Sequence, residues 1–159
     1  MQEDARFEDG GEAPLHLKAL DAEDLQVLAT LTQDAVFPAS EMTWQPKERR
    51  FALLLNRFRW EDQPNAEKRR RPYERVQSVL AFDSVLSVQS QGVRRGDADT
   101  VLSLLSIDWT PGEDAEGFVE LTLAGDGAIR LHVECLEATL KDVTRPYIAP
   151  SRAAPHHPD

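Results

Sequence analysis

Basic and aromatic side chains in two neighbouring segments are the residues of this chain best suited to bind anions. Arginine forms paired hydrogen bonds with phosphates and carboxylates, and an aromatic ring beside it can stack on a nucleobase. These segments therefore predict a binding surface for an acidic protein partner, a small anionic ligand or a nucleic acid. The predicted residues are Arg57, Arg59 and Trp60 in the first segment and Lys68, Arg69, Arg70 and Arg71 in the second.

The charge of the chain is unevenly distributed. From Glu41 to Leu80 ten basic residues exceed six acidic ones, whereas the remaining residues include eight basic against twenty-two acidic. The net charge is −10, and an acidic body repels a polyanion unless the basic patch is large and well separated. This favours a protein partner over RNA or single-stranded DNA. In the alternative interpretation, residues 68–71 form a solvated loop whose arginines pair with the chain's surplus carboxylates.

Glu120 and His132 are the residues that come nearest to a catalytic pair. The predicted hairpin places them opposite each other on a polar outer face, where exposed cross-strand pairs usually stabilise the sheet. The sequence contains no phosphate-binding loop, dinucleotide-binding glycine motif, zinc-protease helix or nucleophile elbow. We therefore predict no catalytic residue. A small enzyme or ligand-binding protein with a site assembled across strands remains the alternative.

Metal and thiol chemistry have little support in the sequence. The histidines lack the spacing of known metal sites, so we predict no metal and no cofactor. Cys135 is the only cysteine, and its place in an apolar row predicts a core thiol. Carboxylates that could meet a histidine near strand ends are Asp108, Glu134, Glu137 and Asp142.

The elements that would position these residues are mostly strands. Asp21 is a predicted N-cap, with Asp24 three residues later, for a helix ending near Ala35. After it, short apolar runs separated by turn residues continue to Val143. The pattern predicts an α+β fold, with a strongly curved antiparallel sheet or partly closed barrel of about 7–8 strands capped by that one early helix.

Two hairpins can be assigned a register from their side-chain faces. Residues 46–49 form a four-residue loop that pairs Trp44 with Phe51 and Met42 with Leu53. Residues 125–127 form a three-residue loop that pairs Leu123 with Ile129, with Gly127 in the left-handed conformation.

Several stretches together resemble a family of uncharacterised alphaproteobacterial proteins, a domain of unknown function (DUF2948-like). They are VQSVLAFDSVLSV, VLSLLSIDW, LAGDGAIRLHVECLEATLKDV and the Pro-rich end with His156. The resemblance spans residues 15 to 157. It implies no catalytic or binding residue, and it lowers the expectation of a well-known enzyme class.

The composition predicts one domain between two tails. Residues 1–14 form a disordered acidic tail, 15–149 a single α+β domain and 150–159 a disordered Pro-rich tail. The sequence lacks a signal peptide and a long apolar stretch, which predicts a cytoplasmic protein without membrane contact. Together these features favour a non-catalytic accessory or regulatory binding module that uses the basic patch, and they leave the oligomeric state open.

Overall fold

The computed structural model describes residues 14–68, 74–93 and 99–148. Apart from Pro14, the two predicted tails lie outside these ranges. Arg69, Arg70 and Arg71 of the predicted basic patch also lie outside them.

Two short α-helices and eleven strands form the described part of the chain. The helices are α1 (Ala22–Leu31) and α2 (Gln63–Lys68), and 3-10 turns cover Ala39–Glu41 and Trp60–Asp62. The strands are β1 (His16–Ala19), β2 (Val36–Pro38), β3 (Met42–Gln45), β4 (Arg50–Phe58), β5 (Glu74–Phe82), β6 (Val85–Gln91), β7 (Val101–Pro111), β8 (Gly117–Leu123), β9 (Gly127–Val133), β10 (Ala138–Asp142) and β11 (Tyr147–Ile148).

The strands pair antiparallel in the order β1-β10-β5-β4-β2-β7-β8-β9-β6. β3 pairs with β4 and β11 with β5 beside this path. β7 joins the two halves of the sheet, because its first residues pair with β2 and its later residues with β8. The path ends at β1 and β6 without closing.

The antiparallel α+β class is confirmed, but three details of the predicted fold are wrong. The sheet has eleven strands instead of 7–8, and it is not a partly closed barrel. Strands β2 and β11 were not predicted, because segments of three and two residues are too short to show an alternating pattern. Helix α1 lies against β7 and β1 without clearly capping the sheet, and α2 is a second short helix.

Strand β4 shows how alternation builds the core. Phe51, Leu53 and Leu55 are buried on one face and join a single apolar cluster. Leu25 and Leu28 of α1 complete that cluster from the helix side. The helix begins as predicted, because the backbone N–H of Asp24 donates to the Asp21 carboxylate at 2.8 Å. It ends at Leu31 rather than near Ala35.

One predicted hairpin register is confirmed and the other is wrong. In β3–β4, Trp44 lies opposite Phe51 and Met42 opposite Leu53. In β8–β9 the register is shifted by two residues, so that Leu121 rather than Leu123 lies opposite Ile129. A shift of two residues keeps every side chain on its predicted face, which is why the face argument did not detect it.

The loop of the β8–β9 hairpin explains the shift. It comprises residues 124–126, with positive φ at Gly125 and Asp126, so Gly127 is not the left-handed residue. Gly127 instead starts β9, where a Cβ would lie 2.9 Å from Cγ2 of Val93. A close approach from another part of the chain thus requires this glycine.

Cys135 is half-buried and follows the end of β9 at Val133, so the predicted core thiol is wrong. The apolar row ends where the strand ends. None of the described helices is long and apolar enough to cross a membrane.

Candidate functional site

Arg57 is a charged residue that is fully buried on the core face of β4. Its neighbours on that face come from the next two strands. Ser78 of β5 lies opposite Leu55 of β4 on one side and opposite Asp142 of β10 on the other. The sheet register therefore brings Arg57, Ser78 and Asp142 together at one end of the core. With Glu61 they form what we call the Arg57 cluster.

The guanidinium group of Arg57 is bound by two carboxylates. Nη2 donates to Oδ1 and Oδ2 of Asp142 at 3.0 and 3.1 Å. Nη1 and Nη2 donate to Oε1 and Oε2 of Glu61, each at 2.9 Å. Nε lies 3.1 Å from Oγ of Ser78, which itself donates to Asp142 Oδ1 at 2.7 Å. Paired, charge-assisted bonds of this kind are among the stronger hydrogen bonds in proteins.

Burial and pairing act in opposite directions on these charges. Burial alone would lower the pKa of Arg57 and raise the pKa of Glu61, because it disfavours the charged form of each. The hydrogen bonds and charges of the partners outweigh it, so the pKa of Arg57 is raised and that of Glu61 is lowered. Both groups are therefore ionised at neutral pH.

The Arg57 cluster also ties the two ends of the described domain together. The backbone N–H of Leu15 donates to Asp142 Oδ2 at 2.9 Å, and the N–H of Asp142 donates to the carbonyl of Leu15 at 2.9 Å. One buried group thus connects β4, β5, β10 and the entry to β1. This arrangement has the character of a structural clamp.

The other predicted patch residues lie in different environments. Arg59 is 3% exposed and forms ion pairs with Glu74 and, at 3.5 Å, with Asp62. Nε1 of Trp60 donates to the carbonyl of Gln33 at 3.1 Å, while Lys68 is exposed at the end of α2. The guanidinium groups of Arg57 and Arg59 are thus bound by the chain's own carboxylates and do not lie on one surface with Lys68.

The outer face, meaning the side of β6, β7, β8 and β9 turned away from the core, carries an aromatic and cationic stack. The rings of Phe118 and His132 stack at 4.8 Å, and Cζ of Arg130 lies 3.9 Å from the centroid of Phe118. Nε2 of His132 lies 3.3 Å from a carboxylate oxygen of Glu116. His132 is 30% exposed on this open face, without the enclosure that an active-site imidazole needs.

The predicted opposition of Glu120 and His132 is wrong. Glu120 lies opposite Arg130, and His132 lies opposite Phe118, because of the shift of two residues in the β8–β9 register. Glu120 and His132 are diagonal neighbours on the same outer face.

Two depressions in the surface are candidates for small ligands. A groove of about 250 Å³ over β2, β4 and β7 is lined by apolar side chains such as Leu54, Val36 and Val101. It is smaller than typical ligand pockets, which hold about 300–1,000 Å³. The second is an open, polar notch on the outer face, lined by Gln89, Ser90, Gln91, Glu120, Ala128 and Arg130. Within residues 14–68, 74–93 and 99–148 no three metal-ligating side chains cluster.

The polar notch borders β6, whose described strand neighbour is β9 alone. The N–H of Glu134 donates to the carbonyl of Ser84, so the backbone of residue 134 points toward the β6 side. Backbone direction alternates along a strand, so the backbone groups of residues 132, 130 and 128 point the same way. Their partners Ser87, Gln89 and Gln91 therefore bond to β9. The backbone groups of the residues between them, Val88 and Ser90, point away from β9. We call the N–H and C=O groups of these two residues the β6 edge.

The β6 edge differs from the other end of the sheet. Strand β6 has seven residues, VLSVQSQ, and none is charged. Strand β1 has four residues, HLKA, with His16 and Lys18 on its outward side, because Leu15 bonds to Asp142. Short length and lysine are ways in which proteins protect an edge from further pairing. In the described chain, β6 is protected only near its start, by a register shift at Leu86 and by the N–H of Val85, which donates to the carbonyl of Arg49 at 2.9 Å.

Residues 15–157 match the family described as "Protein of unknown function (DUF2948)", and the chain belongs to that family. No curated protein and no solved structure matches the chain.

Proposed function

We propose that this protein is a non-catalytic binding module that accepts an additional β-strand at the β6 edge. The observation that carries the proposal is an uncharged outer strand whose outward backbone groups at Val88 and Ser90 bond to nothing in the described part of the chain. Such an edge supplies main-chain hydrogen bonds to an extended partner segment.

The polar notch supports the same proposal. Side chains of an added strand would alternate between the two faces of the sheet, and those on the outer face would lie beside Gln89 and Gln91. Arg130 and Glu120 also line the notch and carry opposite charges at a greater distance from the edge. Main-chain bonds would then provide affinity and the notch specificity.

Binding from the organism's own extract tests the proposal with two matched proline variants. Ser90→Pro removes an outward N–H of β6, and His16→Pro removes an outward N–H of β1. A specific, stoichiometric partner should be retained by the wild type and by His16→Pro and lost with Ser90→Pro. Mass spectrometry identifies the bound proteins, and nuclease treatment of half of each sample detects an RNA or DNA link.

Identical partners for all three proteins would overturn the proposal. Loss of the partner only when Arg69, Arg70 and Arg71 are replaced by glutamate would also overturn it, and would assign binding to the basic segment.

A further inference from the structure

From the β6 edge we infer that the added strand is β6 of a second copy of this chain, paired antiparallel around a two-fold axis. This inference rests on the proposed function and names its partner. In the dimer the two sheets become continuous through β9-β6-β6-β9.

The register of this pairing follows from the outward backbone groups. Antiparallel pairing with Val88 opposite Ser90 of the second copy uses both outward residues of each strand. It places Gln89 opposite Gln89 of the second copy, on the two-fold axis. Isologous contacts of this kind close after two subunits, so the pairing gives a dimer rather than a fibre.

The side chains of β6 fit this register. On the outer face Gln89 meets its own copy, and Gln91 meets Ser87. Amides and hydroxyls both donate and accept hydrogen bonds, so identical or similar groups can pair. On the other face Val88 lies beside Ser90 of the second copy. No like charges face each other, which is the usual obstacle to self-pairing.

Charge also favours β6 as the place where two copies meet. Each chain has a net charge of −10, yet residues 85–91 contain none of it. Arg130, the charged residue paired directly with Gln89, is one strand away from the edge. Two copies of Arg130 would be three strand spacings apart, about 14 Å, which exceeds the screening length at physiological salt of about 8 Å.

Cysteine cross-linking tests both the dimer and its register. In a Cys135→Ser background, Gln89→Cys should form a disulfide-linked dimer under mild oxidation. In this register the two copies of Gln89 form a non-hydrogen-bonded pair. The Cα atoms of such a pair are about 4.5 Å apart, which lies within disulfide range. Gln91→Cys is the matched control. The two cysteines of this variant would be four residues apart along the paired strands, about 14 Å, which is too far for a disulfide. A mixture of Gln91→Cys and Ser87→Cys proteins should cross-link to each other.

Sedimentation over micromolar to millimolar concentrations provides the second measurement. The wild type and His16→Pro should form dimers and Ser90→Pro should remain monomeric. Added salt should strengthen association, since it screens the repulsion between two acidic bodies. Equal cross-linking of Gln89→Cys and Gln91→Cys, or a monomeric wild type, would overturn the inference. A monomeric wild type that still binds another protein through Ser90 would leave the proposed function standing.

Discussion

The Arg57 cluster and the β6 edge treat polar groups in opposite ways. In the cluster, a buried guanidinium has its donors directed to two carboxylates, a hydroxyl and a backbone carbonyl. At the β6 edge, backbone donors and acceptors face outward without a partner in the described chain. Polar groups that have hydrogen-bond partners within the chain stabilise the fold. Those without such a partner remain available to bind another molecule.

The same contrast distinguishes two arginines on β4 and β9, which are four steps apart in the strand order. Arg57 is 0% exposed and ion-paired, whereas Arg130 is exposed and stacks on Phe118. Strand alternation alone decides which side of the sheet each one occupies.

Arg57→Ala is the change expected to have the largest effect. It leaves the buried Asp142 carboxylate without its opposite charge, and breaking a buried ion pair costs about 3–5 kcal/mol. Urea denaturation followed by circular dichroism measures the loss of unfolding free energy. A loss no larger than that of Arg130→Ala would show that the two arginines do not differ in the way the structure indicates.

Gln89→Pro sharpens the comparison at the β6 edge. The backbone N–H of Gln89 bonds to β9. Proline at this position should therefore remove a hydrogen bond between the two strands and lower the unfolding free energy by about 1–3 kcal/mol. Ser90→Pro removes only an outward N–H and should cost less. Thermal unfolding of both variants at low concentration, where self-association is minimal, compares them. A larger loss for Ser90→Pro would reverse the assignment of inward and outward residues.

Acidification tests the charge balance of the Arg57 cluster. Because the pKa of Glu61 is lowered by folding, its ionised form stabilises the protein above the unfolded-state pKa, and this contribution is lost as pH falls through the lower folded-state value. Stability of the wild type should therefore decrease more steeply below about pH 4.5 than that of Glu61→Gln. Denaturant titrations across the acid range measure the slopes. Parallel slopes for the wild type and Glu61→Gln would contradict the expectation.

Arg130→Ala should have the smallest effect on stability. An exposed cation–π contact contributes about 0.5–1 kcal/mol, and the stack with Phe118 is of this type. The same urea titration used for Arg57→Ala measures it. A loss as large as that of Arg57→Ala would mean that the outer face contributes to the fold as much as the buried cluster does.

Local patterns predicted those parts of the fold that depend on a few adjacent residues. The helix N-cap at Asp21 and the β3–β4 register were correct because a short turn and two side-chain faces determine them. The β8–β9 register was wrong because two registers that differ by two residues place the same side chains on the same faces. The observed loop of residues 124–126, with positive φ at Gly125 and Asp126, is what distinguishes them.

The candidate sites were harder to predict for a similar reason. Arg57 was predicted as a surface residue, although it continues the buried row of Phe51, Leu53 and Leu55 at every second position, and that spacing was the available signal. Glu61 follows Arg57 by only four residues, but Asp142 is 85 residues away in the chain. The β6 edge could not be predicted either, since it depends on which strand lies outermost.

The alternation of side chains, the acidic net charge, the early helix and the antiparallel α+β class could all be inferred from the order of the amino acids. These depend on local periodicity and composition, which act within a few residues. The contact of Arg57 with Asp142 across β4, β5 and β10, and the position of β6 at the end of the sheet, became visible only in the folded chain. Strand order follows from contacts between residues far apart in the chain, and local patterns leave those contacts undetermined.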